Sequence, residues 1–459
     1  MTDTSFAQLE LPAEQLANLQ SLGYHQMTPI QAETVPLAMA GKDLIAQAKT
    51  GSGKTAAFAL PMLDKLNARN FGCQALVLCP TRELATQVAG EIRRLARYQQ
   101  NIKVVVLCGG QSIGPQIGSL EHGAHIVVGT PGRLKDHLRK KTLNLSSVAT
   151  LVLDEADRML EMGFVDDIES IISETPEQRQ TLLFSATYPD DIESLSRRFQ
   201  RSPQRVSVDS QHSDKHIAQH FYICPKSGKL EALVSLLNHY RPGTAVVFCN
   251  TKQYTREVCA YLDEHGVSAV ALHGDLEQRD RDQILIQFKQ QSCSVLVATD
   301  VAARGLDIED LPAVINFELP RNSEVYVHRI GRTGRAGKEG LALTLFSESE
   351  RYKLERIGQY LQSEPEFEAI ETLVDTGKRL RPPAFTTLCI AGGRKDKVRP
   401  GDILGALTGE AGIDGKAVGK IDVMDYAAYV AIDSGVANQA LGQLVNGKIK
   451  GRKFRVRRL

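Results

Sequence analysis

The chain has 459 residues, which at roughly 100–200 residues per domain predicts two to four domains, and its 42% hydrophobic and 24% charged residues exclude fibrous or generally disordered protein. The net charge of +1 hides an asymmetry, because Arg379 to Leu459 carries 15 Lys and Arg against 7 Asp and Glu, a net +8, leaving −7 on the rest and predicting a polyanion partner for the tail. No run approaches about 18 apolar residues, Met1 to Glu10 has no basic residue or apolar core, and the eight cysteines form no C-x-x-C pair, so a cytoplasmic protein with buried free thiols is expected.

Taken in chain order, strand-length apolar runs recur between longer amphipathic segments at Leu44–Ala46, Ala75–Cys79, Val104–Cys108, His125–Val128, Thr150–Asp154 and Thr181–Ser185. This pattern predicts a parallel sheet with helices on both faces. Arg201 to Gln219 is polar and without periodicity, and reads as a hinge. The pattern restarts at Ala245–Cys249, Ser268–Leu272, Val295–Thr299, Ala313–Phe317 and Leu341–Leu345, predicting a second α/β domain. Gly377, Pro382 and Pro383 then break the chain. Beyond them the order is strand (Thr386–Ile390), helix (Pro400–Thr408), strand (Val418–Val423), strand (Ala428–Ile432), helix (Val436–Leu444) and strand (Lys453–Val456), a ferredoxin-like βαββαβ pattern.

Three of these strands lead into recognisable chemistry. After Leu44–Ala46 comes Ala48-Lys49-Thr50-Gly51-Ser52-Gly53-Lys54-Thr55 and then a helix, which is the setting of a Walker A loop, with Ala48 in place of the first glycine. Small residues let successive backbone N–H groups curl around a phosphate, Lys54 meets the β/γ charge, and the Thr55 hydroxyl suits Mg²⁺. After Thr150–Leu153 comes Asp154-Glu155-Ala156-Asp157, at the carboxyl end of a strand where α/β ligand sites lie. There Asp154 can hold Mg²⁺ through water and Glu155 can orient an attacking water, whereas a lone Asp-Glu pair would only start a helix.

The Walker A loop together with the literal Asp-Glu-Ala-Asp resembles the DEAD-box family of superfamily two RNA helicases. That resemblance implies two RecA-like domains in tandem, bounded at 1–208 and 209–375, with a third, RRM-like domain at 385–459. It implies ATP and Mg²⁺ as cofactors, RNA as partner and a monomer. It also assigns the remaining motifs. Phe6 and Gln31, within a Q motif over 1–31, would stack on and read adenine. Arg82, Gly110, Thr130 and Arg133 would contact RNA, and Ser185 and Thr187 would bond the acidic loop and couple ATP state to strand separation. In the second domain, Gln278, Arg281 and Thr299 would extend the RNA track, Asp307 would meet the ribose, and His328 would couple. Arg332 and Arg335 would act as arginine fingers toward the γ-phosphate.

In the tail, the third strand lacks the basic-Gly-aromatic opening usual in an RNA-recognition motif, and Ile432 stands where an aromatic is common. Basic residues cluster instead at Arg394, Lys395, Lys397 and Arg399, and again at Lys448, Lys450, Arg452 and Lys453, where they could clamp a hairpin by its phosphates. The segment Lys397 to Gly409 resembles the tail of a bacterial branch of the family that recognises a hairpin of 23S ribosomal RNA and acts in large-subunit assembly. The expectation is therefore an RNA-dependent ATPase that unwinds short duplexes and is directed to ribosomal RNA. A generalist helicase of mRNA decay or cold shock, and an ATP-gated RNA clamp, remain alternatives.

Overall fold

A computed structural model describes residues 4–48, 51–188, 190–208, 217–303, 311–334, 339–374, 377–409 and 412–459. Two compact units divide the chain near residue 211. The first holds one sheet built from β1 (Leu44–Gln47), β2 (Ala75–Leu78), β3 (Val104–Leu107), β4 (Ile126–Gly129), β5 (Thr150–Leu153), β6 (Gln180–Ser185) and β7 (Gln204–Ser207). Its order is β3-β4-β2-β5-β6-β1-β7, parallel throughout. Runs such as Ala75–Leu78 and Thr150–Leu153 are buried at every position, because helices close both faces of a parallel sheet.

The second unit holds two sheets. One consists of β8 (Ile217–Ile223), β9 (Ala245–Cys249), β10 (Ala269–Leu272), β11 (Val295–Thr299), β12 (Ala313–Asn316), β13 (Gly340–Phe346) and β14 (Phe367–Ala369), parallel in the order β10-β11-β9-β12-β13-β8-β14. The other is antiparallel, with β15 (Phe385–Ile390), β16 (Val418–Val423), β17 (Ala428–Asp433) and β18 (Val456–Arg458) in the order β16-β17-β15-β18. With helices Pro400–Thr408 and Ala437–Asn446 on one face, this is the expected βαββαβ domain. The fold is thus two RecA-like parallel-sheet domains in tandem and a small C-terminal ferredoxin-like domain.

The sequence reading needs two corrections. Of the stretch read as a hinge, residues 204–207 form β7, a polar edge strand with only Val206 buried and so no apolar run to find, residues 217–219 begin the interior strand β8, and residues 209–216 lie outside the described residues. The last strand is Val456–Arg458, not Lys453–Val456. The third strand of the tail begins at Ala428, as expected, and Tyr426 lies in the preceding turn. The cysteines are free, and all but the half-buried Cys259 are buried. Burial pushes the Cys73 thiol up to about 12. Among the described residues, no helix is long and apolar enough to cross a membrane.

Candidate nucleotide and RNA site

The strand order of the first unit sorts its motifs. At the carboxyl ends of the neighbours β5, β6 and β1 lie the acidic loop, Ser185–Thr187 and the Walker loop; at those of β3, β4 and β2 lie the three proposed RNA loops. One ridge of the sheet therefore carries the loops expected to meet nucleotide and those expected to meet RNA side by side.

In the nucleotide half, β1 runs into a loop whose Gly51 and Gly53 have positive φ, and helix Lys54–Asp64 starts directly after Gly53. Gly53 cannot be replaced without strain. Its φ is +90°, and a Cβ would run into the Gln31 amide. Lys54 and Asp154 are both buried, and the Lys54 Nζ and the Asp154 Oδ1 have no hydrogen-bond partner. A buried ammonium and carboxylate left unsatisfied beside a glycine turn at the start of a helix fit a phosphate and its divalent cation, which makes Lys54, Thr55 and Asp154 suited to hold Mg²⁺ and ATP. Lys49 and Thr50 lie outside the described residues. Glu155 is buried and holds the left-handed conformation (φ 52°, ψ 53°), a backbone state costly for a non-glycine residue and typical of functional sites.

Burial pushes the Asp154 carboxyl up to about 7, against the opposing pull of Lys54. Because the folded pKa lies above the unfolded one, the folded state keeps a proton that the unfolded chain gives up. Stability is therefore lost as pH rises from about 4 through 7. Asp154→Asn is expected to raise the melting temperature of the nucleotide-free protein at pH 8 and much less at pH 5. Equal shifts at both pH values in thermal melts would show that the carboxyl's burial is not what governs it.

Gln31 is tied into the loop rather than left open. Its Oε1 accepts from the Thr28 backbone N–H at 2.9 Å, and its Nε2 donates to the Gly53 carbonyl at 3.0 Å, which couples the Q motif to the Walker turn. Phe6 is buried and packs edge-on against Tyr24. The Ala48 N–H donates to the Ser185 carbonyl at 2.9 Å. The expected coupling of Ser185 and Thr187 to the acidic loop holds for one hydroxyl only. Asp157 Oδ2 accepts from the Thr187 hydroxyl at 2.9 Å and from the backbone N–H groups of Ala186 and Thr187, whereas the buried Ser185 hydroxyl has no partner. Two backbone donors already converge on Asp157, so the Ser185 side chain is not needed to hold the loop.

In the RNA half, the Arg82 guanidinium lies on Gly109 and Gly110, and any side chain at Gly110 would overlap it. Thr130 stands at the start of helix Pro131–Arg139, its side chain making no capping hydrogen bond. Arg133 is largely buried, donates through Nη2 to the Gln111 carbonyl at 2.9 Å, and leaves Nε and Nη1 without hydrogen bonds. These loops bring Arg82, Gly110, Thr130 and Arg133 to the carboxyl ends of three adjacent strands.

The second unit repeats the arrangement. Thr251 caps the helix after β9, Gln278 and Arg281 open helix Gln278–Lys289 after β10, and the Thr299 hydroxyl accepts from the Ala302 N–H at 3.4 Å after β11. Arg281 donates to the Ala302 carbonyl at 3.4 Å, joining the last two loops. His328 lies in helix Ser323–Ile330, and Arg332 is buried just past its end. Asp307 and Arg335 lie outside the described residues.

Two residues that organise these loops were not singled out from the sequence. Asp157 is the acceptor just described. Arg329 has all five of its N–H donors engaged: Nε and Nη2 fork onto the Asp300 carboxylate at 2.6 and 2.8 Å, Nη1 serves Asn316 Oδ1 and the Glu318 carbonyl, and Nη2 also reaches Asn250 Oδ1. Its position inside His328 to Arg335 was visible, but its neighbours Arg332 and Arg335 drew the functional assignment.

Family comparisons agree with this layout. Residues 28–195 match the DEAD/DEAH box helicase model, residues 228–337 the helicase conserved C-terminal domain, and residues 387–458 the DbpA RNA binding domain. The ATP-dependent RNA helicase DbpA of Escherichia coli is 53% identical over 99% of this chain and 100% of its own length. The DEAD-box ATP-dependent RNA helicase CshA of Bacillus cereus is 47% identical over 77% of this chain and 67% of its own. Among solved structures, Saccharomyces cerevisiae Dbp5 L327V bound to RNA and ADP BeF3 superposes with a TM-score of 0.74 at 28% identity, covering 81% of this chain and 97% of that one. On its motifs, its fold and its full-length relative, the chain belongs to the DEAD-box family of ATP-dependent RNA helicases, as a DbpA-like member with a DbpA RNA-binding domain.

Proposed function

We propose that this helicase is an RNA-dependent ATPase that separates short duplexes and is directed by its C-terminal domain to a hairpin of 23S ribosomal RNA, acting as a cytoplasmic monomer in large-subunit assembly. The observation that carries the reading is the combination of a complete nucleotide apparatus with a tail of net charge +8 that matches the DbpA RNA-binding domain. In this reading Lys54 and the Gly51–Gly53 amides hold the β- and γ-phosphates, and Thr55 and Asp154 hold Mg²⁺. The ion would offset charge on the transferring phosphoryl group, and Glu155 would orient the attacking water. Arg332 and Arg335 supply further positive charge to the γ-phosphate. RNA runs along the loops of Arg82, Gly110, Thr130 and Arg133, and of Gln278, Arg281 and Thr299.

ATPase activity titrated with 23S ribosomal RNA fragments is expected to reach half-maximal stimulation at far lower concentration than with random RNA. Full-length protein with Lys448, Lys450, Arg452 and Lys453 changed to Gln is expected to lose that preference. Its binding should also show a log–log salt dependence shallower by about 0.7 to 0.9 per lost phosphate contact. A quadruple variant that still prefers ribosomal RNA would place specificity in the helicase domains. Substitution is a cleaner test than removing the tail, because the tail covers Ile286 and Gln290 of the domain before it.

A further inference from the structure

The C-terminal sheet has one face on its own helices and the other on the preceding domain. Thr387, Cys389, Asp422, Tyr429 and Arg457, which between them represent all four strands, meet the end of helix Gln278–Lys289 and the residues after it. Ile286 packs with Cys389 and Tyr429. The buried Gln290 accepts from the Thr387 hydroxyl at 2.9 Å and donates to Asp422 Oδ2 at 3.0 Å, and Arg457 donates to Gln283 Oε1 at 3.1 Å. The face on which domains of this shape commonly stack bases is therefore closed.

A different corner of the domain is open. The turn Arg394–Asp396 is fastened to the turn between β16 and β17 by two backbone bonds, Arg394 N–H to the Met424 carbonyl at 2.8 Å and Lys395 N–H to the Asp425 carbonyl at 2.9 Å. Gly393 permits the approach, since a Cβ there would strike the Met424 and Asp425 backbone. The second basic run arrives at the same place, with Lys450 Nζ donating to the Lys397 carbonyl at 3.2 Å and Ala391 N–H to the Arg455 carbonyl at 2.9 Å. Arg394, Lys395, Lys397, Arg399 and Lys450 are exposed here. Of the nearby acids, Asp396 and Asp402 accept backbone N–H groups within their own turns, and Asp402 also lies 3.9 Å from the Lys450 Nζ in a half-exposed ion pair that a phosphate can replace. Among them stands Tyr426, 73% exposed, while the domain's other aromatics, Phe385, Tyr429 and Phe454, are buried or half-buried.

We infer that Tyr426 is a base-stacking platform: an unpaired base of a bound RNA lies on its ring while Arg394, Lys395, Lys397 and Lys450 take the flanking phosphates. An aromatic side chain this exposed has little packing role, and an exposed aromatic on a turn bonded to a basic turn is a combination suited to holding single-stranded nucleic acid. The inference rests on the reading of the C-terminal domain as RNA-binding, and does not require that the RNA be ribosomal.

The test uses the full-length protein without nucleotide and a stem-loop RNA carrying 2-aminopurine in its loop. Tyr426→Ala is expected to weaken binding by about 5- to 150-fold, the usual effect of removing one stacked aromatic. It should also abolish the 2-aminopurine quench and leave the salt slope unchanged. Tyr426→Phe is expected to retain affinity and quench, since stacking needs the ring and not the hydroxyl. Lys395→Gln with Lys397→Gln should instead flatten the salt slope. Wild-type affinity and quench in Tyr426→Ala would overturn the stacking role while leaving the RNA-binding reading intact. If neither that variant nor the lysine pair changed binding, the reading of the domain itself would fall, and the stacking role with it.

Discussion

Glu155→Gln is expected to leave ATP and RNA binding intact and to lower kcat by about 100- to 10,000-fold, the range over which a positioned acid–base group acts. The substitution keeps the side chain's size and one oxygen, so the buried site and the start of helix Ala156–Glu161 should survive it. What it removes is the carboxylate that can accept a proton from a water poised for in-line attack. The left-handed backbone at Glu155 supports a functional role, because a residue that merely opened a helix would not need a conformation that disfavours any side chain but glycine. Multiple-turnover ATPase assays at saturating RNA, paired with equilibrium binding of a non-hydrolysable ATP analogue, check both halves of the expectation. Turnover near the wild-type rate would mean that another group orients the water.

The nucleotide half of the site was legible in the sequence because its chemistry is local. Gly51, Gly53, Lys54 and Thr55 sit within five residues of one another, and Asp154 and Glu155 are adjacent, so spacing alone carries the information. The buried strands were legible for a similar reason, since a strand covered on both faces must be apolar throughout. What could not be seen depends on partners distant in the chain. β7 pairs on one side only and needs a single buried residue, Val206, so its sequence looks like linker. The amide of Gln31 looks free in sequence, and only the fold brings Gly53, 22 residues away, against it. Likewise only the fold brings Gln290 and Ile286 of the preceding domain onto the tail's sheet. That covering explains why Tyr429 is buried, while Tyr426 in the turn is exposed.

Arg329 illustrates the limit most clearly, and its replacement carries the second large expected effect. Arg329→Met should destabilise the second unit by about 3–5 kcal/mol, the cost of breaking a buried ion pair from one side. The guanidinium is fully buried, lies 5.1 Å from the Phe248 ring centroid, and satisfies Asp300, Asn316, Glu318 and Asn250 at once; without it these acceptors lose their donors. Arg329→Lys should rescue little, because an ammonium cannot fork onto a carboxylate and reach three further oxygens on either side. Since Asn250, Thr299 and Asp300 border the loops at the ends of β9 and β11, RNA affinity should fall with stability. Hydrogen exchange localises the effect: amides of β9, β11 and β12 should lose protection while those of β1 and β5 keep theirs. Arg351→Ala provides the contrast, since its exposed pairing with Glu348 at 3.1 Å should be worth no more than about 1 kcal/mol. An Arg329→Met protein as stable as Arg351→Ala would mean that the five hydrogen bonds around Arg329 do not hold the second sheet's loops together.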